Sequence, residues 1–366
     1  MQFWKNKIKR YRWLGGLCGI MGIFYGCSVI GPQSIANGRA AYNQVINQTE
    51  DQQLLMAIVR NRYGETISML AVTNVTANIR FAAGAGAEFG VERRENYETN
   101  LTPLSGEIAY EESPTISYAP IEGEEQFDRL MSPVPLSVLV IFARSVKSSR
   151  LPFLTMTKSI NDLRNPNFIR SPLSKADPRF RRLIDLMMDL NETGHLEWVR
   201  DPRENVEFSL IIRNPQPQRT QEIHELLKLL GQPQSTIGSK PIILPIYHAI
   251  EEPESGGIAM NTSSINDLIE ILSASIDVSE EHRKSGLAIE YPAPGLAGQE
   301  VRIQRAGHRP ANASVAVRYR QSWFYIDETD QSTKLMFRVL RTLWQDRIAS
   351  AAQLQPAPVL TIPVSR

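Results

Sequence analysis

Five histidines, His195, His224, His248, His282 and His308, are the first place to look for chemistry, and their spacing offers little locally. None falls in the H-E-x-x-H pattern that puts two imidazoles on one helical face for a zinc ion. The nearest approach, "IHELL" at 223–227, has Lys228 where the second histidine belongs. The G-x-S-x-G turn that exposes a hydrolase nucleophile is absent. "GAGAEFG" at 84–90 lacks the Lys-Ser/Thr ending of a phosphate loop and the G-x-G-x-x-G spacing, and alternating sequence follows it where a helix would be needed. Asp327, Glu328 and Asp330 could gather on a divalent cation, but they stand where a strand is expected to run into a helix, and acids there serve the positive end of the helix dipole. Trp323, Phe324 and Tyr325, with Tyr319, could stack on a glycan or a partner chain. Strand alternation sends successive side chains to opposite faces, which favours core packing instead. No catalytic, cofactor-binding or metal-binding residue is assigned.

The remaining reactive side chains are two cysteines, Cys18 and Cys27, both near the N-terminus. Lys5, Lys7, Lys9, Arg10 and Arg12 precede them with no acid among the first twelve residues, and Trp13 to Ile30 carries no charge. A basic region followed by an apolar one is the layout of an export signal. Phe24-Tyr25-Gly26 then leads into Cys27 and resembles the bacterial lipobox, with a small residue immediately before the cysteine. Tyr25 departs from that pattern, since a small residue is usual there. Cys18 comes too early and has Leu17 on its amino side. Cys27 is therefore the expected lipidation site, becoming the first residue of the mature chain and holding it to a membrane through its acyl chains. Two other readings compete. An uncleaved signal anchor is compatible with an apolar stretch near the lower limit of ~17 to 25 residues for a span, although four glycines between positions 15 and 22 weaken it as a helix. A helix buried in a globular core fits poorly with cations bunched at one end and no polar face.

Removal of residues 1–26 takes five of the 40 basic residues and none of the 39 acidic ones, so the formal charge moves from +1 to near −4. A mildly acidic chain without a basic tract is a poor candidate for nucleic acid. Beyond Cys27 there is no cysteine, hence no disulfide and no thiolate metal site in the folded part.

The elements that must position any site follow from periodicity. Residues 31–65 open with a Gly31-Pro32 turn and Ser34 as N-cap. Apolar residues then keep helical spacing from Ile35 to Tyr63, with a possible restart at the Thr49-x-x-Gln52 capping box and a stop near Gly64. From Thr66 to Tyr118 the period changes to two, which predicts long hairpins with a mobile tip around 92–106. Short helices are expected at 122–131 and 136–148, an extended segment near 152–160, and a helix from Asp177 to Gly194 with Pro178 in its first turn. In that helix Arg179, Arg181 and Arg182 form a solvated face. Strands at 195–200 and 206–213 should flank a turn at 201–205, and a helix at 218–230 should end at Gly231. A strand at 241–249 precedes a Gly256-Gly257 turn and a helix capped by Thr262 or Ser263. Two strands around Gln321-Ser322, a strong helix from Thr329 and a Pro-spaced edge strand complete the chain. "SINDL" occurs twice, at 159–163 and 264–268, too short a match to indicate duplication.

The segments "GPQSIANGRAAYNQVINQTEDQQLLMAIVRNRYGE", "SPTISYAPIEGEEQFDRLMSPVPL" and "WFYIDETDQSTKLMFRVLRTL" together resemble a set of uncharacterised lipoproteins of Gram-negative bacteria. The resemblance covers most of the mature chain. It implies export and membrane attachment and carries no activity or catalytic residue. Ser28 follows the cysteine where an inner-membrane retention signal would place Asp, which by resemblance to enterobacterial sorting implies the outer membrane.

The expected organisation is a signal peptide (1–26), a lipidated tether (27–33), a helix plus long β-hairpin region (34–150) and an α+β domain (151–366), with mixed or antiparallel sheets and flanking amphipathic helices. The expected role is a membrane-tethered, periplasm-facing scaffold or assembly component of the bacterial envelope, with envelope proteins as partners. The alternatives are a lipoprotein that contributes the 66–118 hairpins to an oligomeric barrel or pore, and an envelope hydrolase without a recognisable motif.

Overall fold

The computed structural model describes residues 40–66, 70–76, 79–86, 105–112, 115–120, 128, 130–144, 150–168, 177–203, 206–213, 219–233, 240–248, 256–291, 299–352 and 360–363. The fold is α+β. Chain contacts divide it into two units, Met1–Gln53 and Leu54–Arg366.

In the first unit the described residues, 40–53, are helical and belong to α1 (40–62). Of the one long or two short helices that the sequence allows, the described residues show one that continues through Thr49. The Thr49 hydroxyl donates to the Ile46 carbonyl at 2.9 Å, the back-bonding open to Ser and Thr inside a continuing helix. The Ser34 cap lies outside the described residues.

The second unit begins within α1, where Leu54, Leu55, Ile58 and Val59 are buried. Gly64, at φ +71°, ends the helix as expected, and the Glu65 N–H closes onto the Arg60 carbonyl at 3.0 Å. The described residues of the period-two region form two antiparallel strand pairs. β1 (Leu70–Thr76) pairs antiparallel with β4 (Thr115–Pro120), and β2 (Ile79–Gly86) with β3 (Ser105–Glu112). The Pro-spaced tail supplies β14 (Leu360–Pro363), which adds to β4 as an edge strand. The 92–106 tip lies largely outside the described residues.

The largest sheet has six strands in the order β6-β5-β10-β9-β8-β7. These are β5 (Thr157–Ile160), β6 (Leu163–Arg164), β7 (Leu196–Arg200), β8 (Phe208–Ile212), β9 (Ile242–His248) and β10 (Ile258–Thr262). β9 and β10 run parallel and the other neighbours antiparallel, so the sheet is mixed. Alternation puts Leu196, Trp198, Phe208, Leu210, Ile212, Ile242, Leu244 and Ile246 into the core. On the opposite parity Ile243 stays 57% exposed.

Amphipathic helices cover the buried side. α4 (Arg179–Glu192) contributes Phe180, Leu183, Ile184, Met187 and Leu190; α5 (Thr220–Leu229) contributes Ile223, Leu226 and Leu227. Each such side chain stabilises by about 1.5–3 kcal/mol relative to exposure. Asp177 caps α4 through its carboxylate, which accepts the Arg179 N–H at 2.9 Å, and Gly194 (φ +74°) terminates it. The cations of α4 lie outward, each against an acid: Arg179 on Asp177, Arg181 on Glu300 and Arg182 on Glu225.

Two further helices precede the sheet, α2 (Leu136–Ala143) and α3 (Arg150–Met156). The second corrects the extended segment expected at 152–160, of which only 157–160 is strand. Leu151 through Met156 are all buried, and a helix without a polar face shows no period of 3.6 to read. α6 (Ile265–Ala274) is capped by Ser264, one residue later than expected, because Ser264 and Asp267 form a reciprocal capping box. α7 (Glu280–Lys284) is a short exposed turn of helix.

A further three-stranded sheet comprises β11 (Gln304–Ala306), β12 (Ala313–Tyr319) and β13 (Ser322–Asp327), followed by α8 (Gln331–Ala352). The β12–β13 turn is Arg320-Gln321, not Gln321-Ser322. Both residues have positive φ, +44° and +66°, as a two-residue turn matched to strand twist requires.

Candidate functional site

The predicted lipidation residue, Cys27, lies outside the described residues. The histidines are not brought together: His195 meets Thr193, His224 meets the Thr220 carbonyl, and His282 meets Tyr63. Among the described residues no three His, Cys, Asp or Glu side chains converge as metal ligands. The "DETDQST" acids serve the local backbone. Asp327 accepts the Thr329 N–H at 2.8 Å, Asp330 accepts the Thr333 N–H at 2.9 Å and caps α8, and Glu328 pairs with Lys334. The aromatic group splits as alternation predicts: Phe324 is buried, while Trp323 and Tyr325 lie half-buried on the other face, beside Arg309 and Gln304 respectively.

What the tertiary structure does assemble is a cluster around Tyr63, which follows the last turn of α1. Its hydroxyl lies 2.9 Å from His282 Nδ1 on α7, and the two rings meet edge to face at 5.6 Å. Tyr319, at the end of β12, packs on Tyr63 at 5.0 Å, and Phe324 of β13 approaches at 6.3 Å. The Tyr319 hydroxyl donates to the Glu65 carboxylate. Arg320 completes the group, donating to Glu65 at 3.1 Å and to the Tyr319 hydroxyl at 2.7 Å while its guanidinium sits 5.3 and 5.4 Å from the two tyrosine rings. The left-handed backbone of Arg320 costs about 1–3 kcal/mol and is offset by these contacts.

A second layer ties the same helix end to α6. Arg62 stacks on Tyr291 at 4.8 Å, and the Tyr291 hydroxyl donates to Glu270 at 2.7 Å. Asn61 donates to Ser273 at 3.1 Å, and the Ser273 hydroxyl donates to the Ile58 carbonyl at 3.0 Å. The Arg62 carbonyl accepts the Ile289 N–H at 2.8 Å.

The electrostatics of the cluster set what it can do. Burial raises the Tyr63 phenol above its ordinary range, with Tyr319 acting the same way. Burial also raises Tyr319, the Glu65 carboxylate adding to the effect and the Arg320 bond opposing it. Glu65 is held below the usual carboxylate range by the Tyr319 hydroxyl, against a small burial penalty and with help from Arg320. Near neutral pH the phenols therefore remain protonated donors and Glu65 remains an ionised acceptor. A general base or phenolate nucleophile would need the opposite tuning. The side chains satisfy one another, so the arrangement joins α1, α7 and the β12–β13 turn as a polar-aromatic clasp.

Sequence reasoning missed this cluster. The only available signal was that both "RNRYGE" (60–65) and "RYRQ" (318–321) set cations and tyrosines against a chain reversal. No protein-family model matches the chain, and no curated protein or solved structure shows significant similarity to it.

Proposed function

We propose that this protein is a lipid-tethered, periplasm-facing lipoprotein of the Gram-negative envelope, acting as a non-catalytic scaffold or assembly component. The observation that carries the reading is the N-terminal layout: five cations within twelve residues, an uncharged segment to Ile30, and Cys27 behind Gly26. The acyl chains on Cys27 would hold the chain firmly, since each buried methylene contributes about 0.8 kcal/mol. The Tyr63 clasp supports the non-catalytic part, because its titratable groups are tuned and paired for holding elements together. Ser28 after the cysteine favours the outer membrane.

Metabolic labelling with a fatty-acid analogue, followed by mass spectrometry of the N-terminal peptide, tests the anchor. The label is expected on Cys27, to be lost in Cys27→Ser and kept in Cys18→Ser. A mature chain that begins elsewhere, or label retained in Cys27→Ser, overturns it. Crosslinking and pull-down from intact envelopes tests the role. A defined assembly supports a scaffold, and turnover of cell-wall or lipid substrates by the isolated protein overturns it.

A further inference from the structure

Between Val301 and Ile326 the chain carries Arg302, Arg305, Arg309, Arg318 and Arg320 and no Asp or Glu, in a protein whose formal charge is +1. No two of these arginines are adjacent, so the sequence shows no basic tract. The fold gathers them, because the same stretch forms β11, β12 and all but the last residue of β13.

Alternation gives this sheet two unlike faces. Val317, Phe324 and Ile326 turn into the core. Trp323 and Tyr325 turn the other way and stay half-exposed. They stand among small residues: Trp323 is opposite Ala306 on β11, and Tyr325 is opposite Ala316 on β12. Across from Trp323 on β12 is Arg318, and the Arg309 guanidinium lies 5.6 Å from the centre of the Trp323 ring. One aromatic ring is thus flanked by two cations.

Partners separate the five arginines. Arg302 is held by Asp277 at 2.9 Å and Arg320 by Glu65 at 3.1 Å, while Arg305, on the opposite parity, donates to the Ser322 hydroxyl at 3.0 Å. Arg309 and Arg318 are exposed, and among the described residues neither meets a carboxylate. The exposed arginines of α4, by contrast, are each answered by an acid. Two unanswered guanidiniums beside one ring match an anion supplied from outside, and a planar guanidinium suits phosphate. The cations mark the margins of a sheet face, which suits an extended negative surface. Tryptophan and tyrosine are the side chains that settle at the headgroup level of a bilayer, where an amphipathic ring meets both water and acyl chain.

We propose that this face rests on an anionic phospholipid surface, with Trp323 and Tyr325 at headgroup level and Arg309 and Arg318 on lipid phosphates. Each arginine near such a surface contributes about a fivefold gain, so the two together contribute about thirtyfold. A contact of that size holds only a chain already concentrated at the membrane, and in this respect the proposal rests on the proposed anchor. It gives the tethered protein a fixed side toward the bilayer, which an acyl chain alone does not.

The test places the full-length protein in vesicles of phosphatidylcholine, alone or mixed equally with phosphatidylglycerol, with brominated acyl chains as the quencher of tryptophan emission. The difference between the unaltered chain and Trp323→Phe isolates the Trp323 component. That component should be quenched in the mixed vesicles and recover in neutral ones or at high salt. In Arg309→Gln with Arg318→Gln the ratio of contacting to free Trp323 should fall about thirtyfold, with the thermal transition retained. Identical quenching of the unaltered chain and Trp323→Phe, or equal quenching of Trp323 in neutral and anionic vesicles, would overturn the contact. Should the double arginine variant lose its thermal transition, the comparison of the two vesicle types decides by itself. Mass spectrometry of the N-terminal peptide on the same samples keeps the two readings apart. An acylated Cys27 without a quenched Trp323 component sinks the face alone, and a quenched component without acylation sinks the anchor alone.

Discussion

Lys158 Nζ lies 2.6 Å from Asp267 Oδ2, so a residue at the start of β5 is joined to the first turn of α6, 109 positions later in the chain. The same carboxylate accepts the Ser264 N–H at 2.8 Å and the Ser264 hydroxyl at 2.8 Å, while the Asp267 N–H donates to Ser264 Oγ. One half-buried acid therefore caps a helix and fixes that helix against the central sheet. Asp267→Asn should lower stability by about 2 kcal/mol, the scale of a lost cap combined with a weakened, partly buried ion pair. Urea denaturation should show an earlier midpoint at unchanged slope; a midpoint within error of the parent would refute the role.

Acid stability should follow from the depressed carboxylates. Burial alone would raise Asp267, but Lys158 and the Ser264 donors outweigh it and hold it below its ordinary value. Asp201 is lowered further, chiefly by Arg203, against a burial penalty and with the Ser209 hydroxyl assisting. Because both folded-state values are depressed, their stabilisation is complete above the unfolded Asp value of about 3.9 and is lost as pH falls through the folded values. Unfolding free energy should thus fall steeply below about pH 4. In Asp201→Asn with Asp267→Asn the curve should be flatter over that range. An equal slope in the double variant would remove the linkage.

Tyr63 should report on the clasp in two steps. Tyr63→Phe keeps the ring packing and loses the His282 hydrogen bond, a cost of about 1 kcal/mol. Tyr63→Ala also empties a buried aromatic site beside Tyr319 and Phe324 and should cost about 3–5 kcal/mol. Thermal unfolding of the two variants would separate these contributions, and equal losses would mean that the ring packing contributes nothing.

The Arg320-Gln321 turn holds a non-glycine residue at φ +66°. Gln321→Gly should relieve left-handed strain and stabilise the hairpin by about 1 kcal/mol. Arg320→Gly relieves similar strain but deletes the Glu65 and Tyr319 bonds, so it should gain less or lose outright. A larger gain for Arg320→Gly in a thermal melt would contradict the clasp.

Gly257 is required by close approach. A Cβ there would stand 2.4 Å from Tyr247 Cε2 and 3.3 Å from the Pro245 carbonyl oxygen. Gly257→Ala should force the Tyr247 ring aside and cost about 1–3 kcal/mol, and the same substitution made in a Tyr247→Ala background should cost less than it does in the parent. A neutral single variant would show that the ring yields freely.

Much of the architecture was legible in sequence because it is local. Gly64, Gly194 and Gly231 all take positive φ at the helix ends they were expected to mark, since glycine alone enters that region without a Cβ penalty. The apolar stripes of α4 and α5, the strand alternation around 201–205 and the Pro-spaced edge strand are likewise written in period and turn chemistry. The proposed lipidation of Cys27, too, is a reading of sequence alone. Other features were decided by contacts between distant residues. α3 is hidden in sequence because all of Leu151–Met156 is buried and the polar half of the pattern is missing. The pentapeptide "SINDL" states the point most directly. At 159–163 it leaves β5, turns with Asn161 at φ +48° and enters β6; at 264–268 it caps and opens α6. The five residues are identical, so local propensity is identical. The difference comes from what surrounds them: Asn161 is fixed by the Ala259 N–H and the Leu230 carbonyl, whereas Ser264 and Asp267 close on each other and on Lys158. Likewise the Tyr63 clasp joins residues more than 200 positions apart, and no spacing along the chain encodes such a meeting.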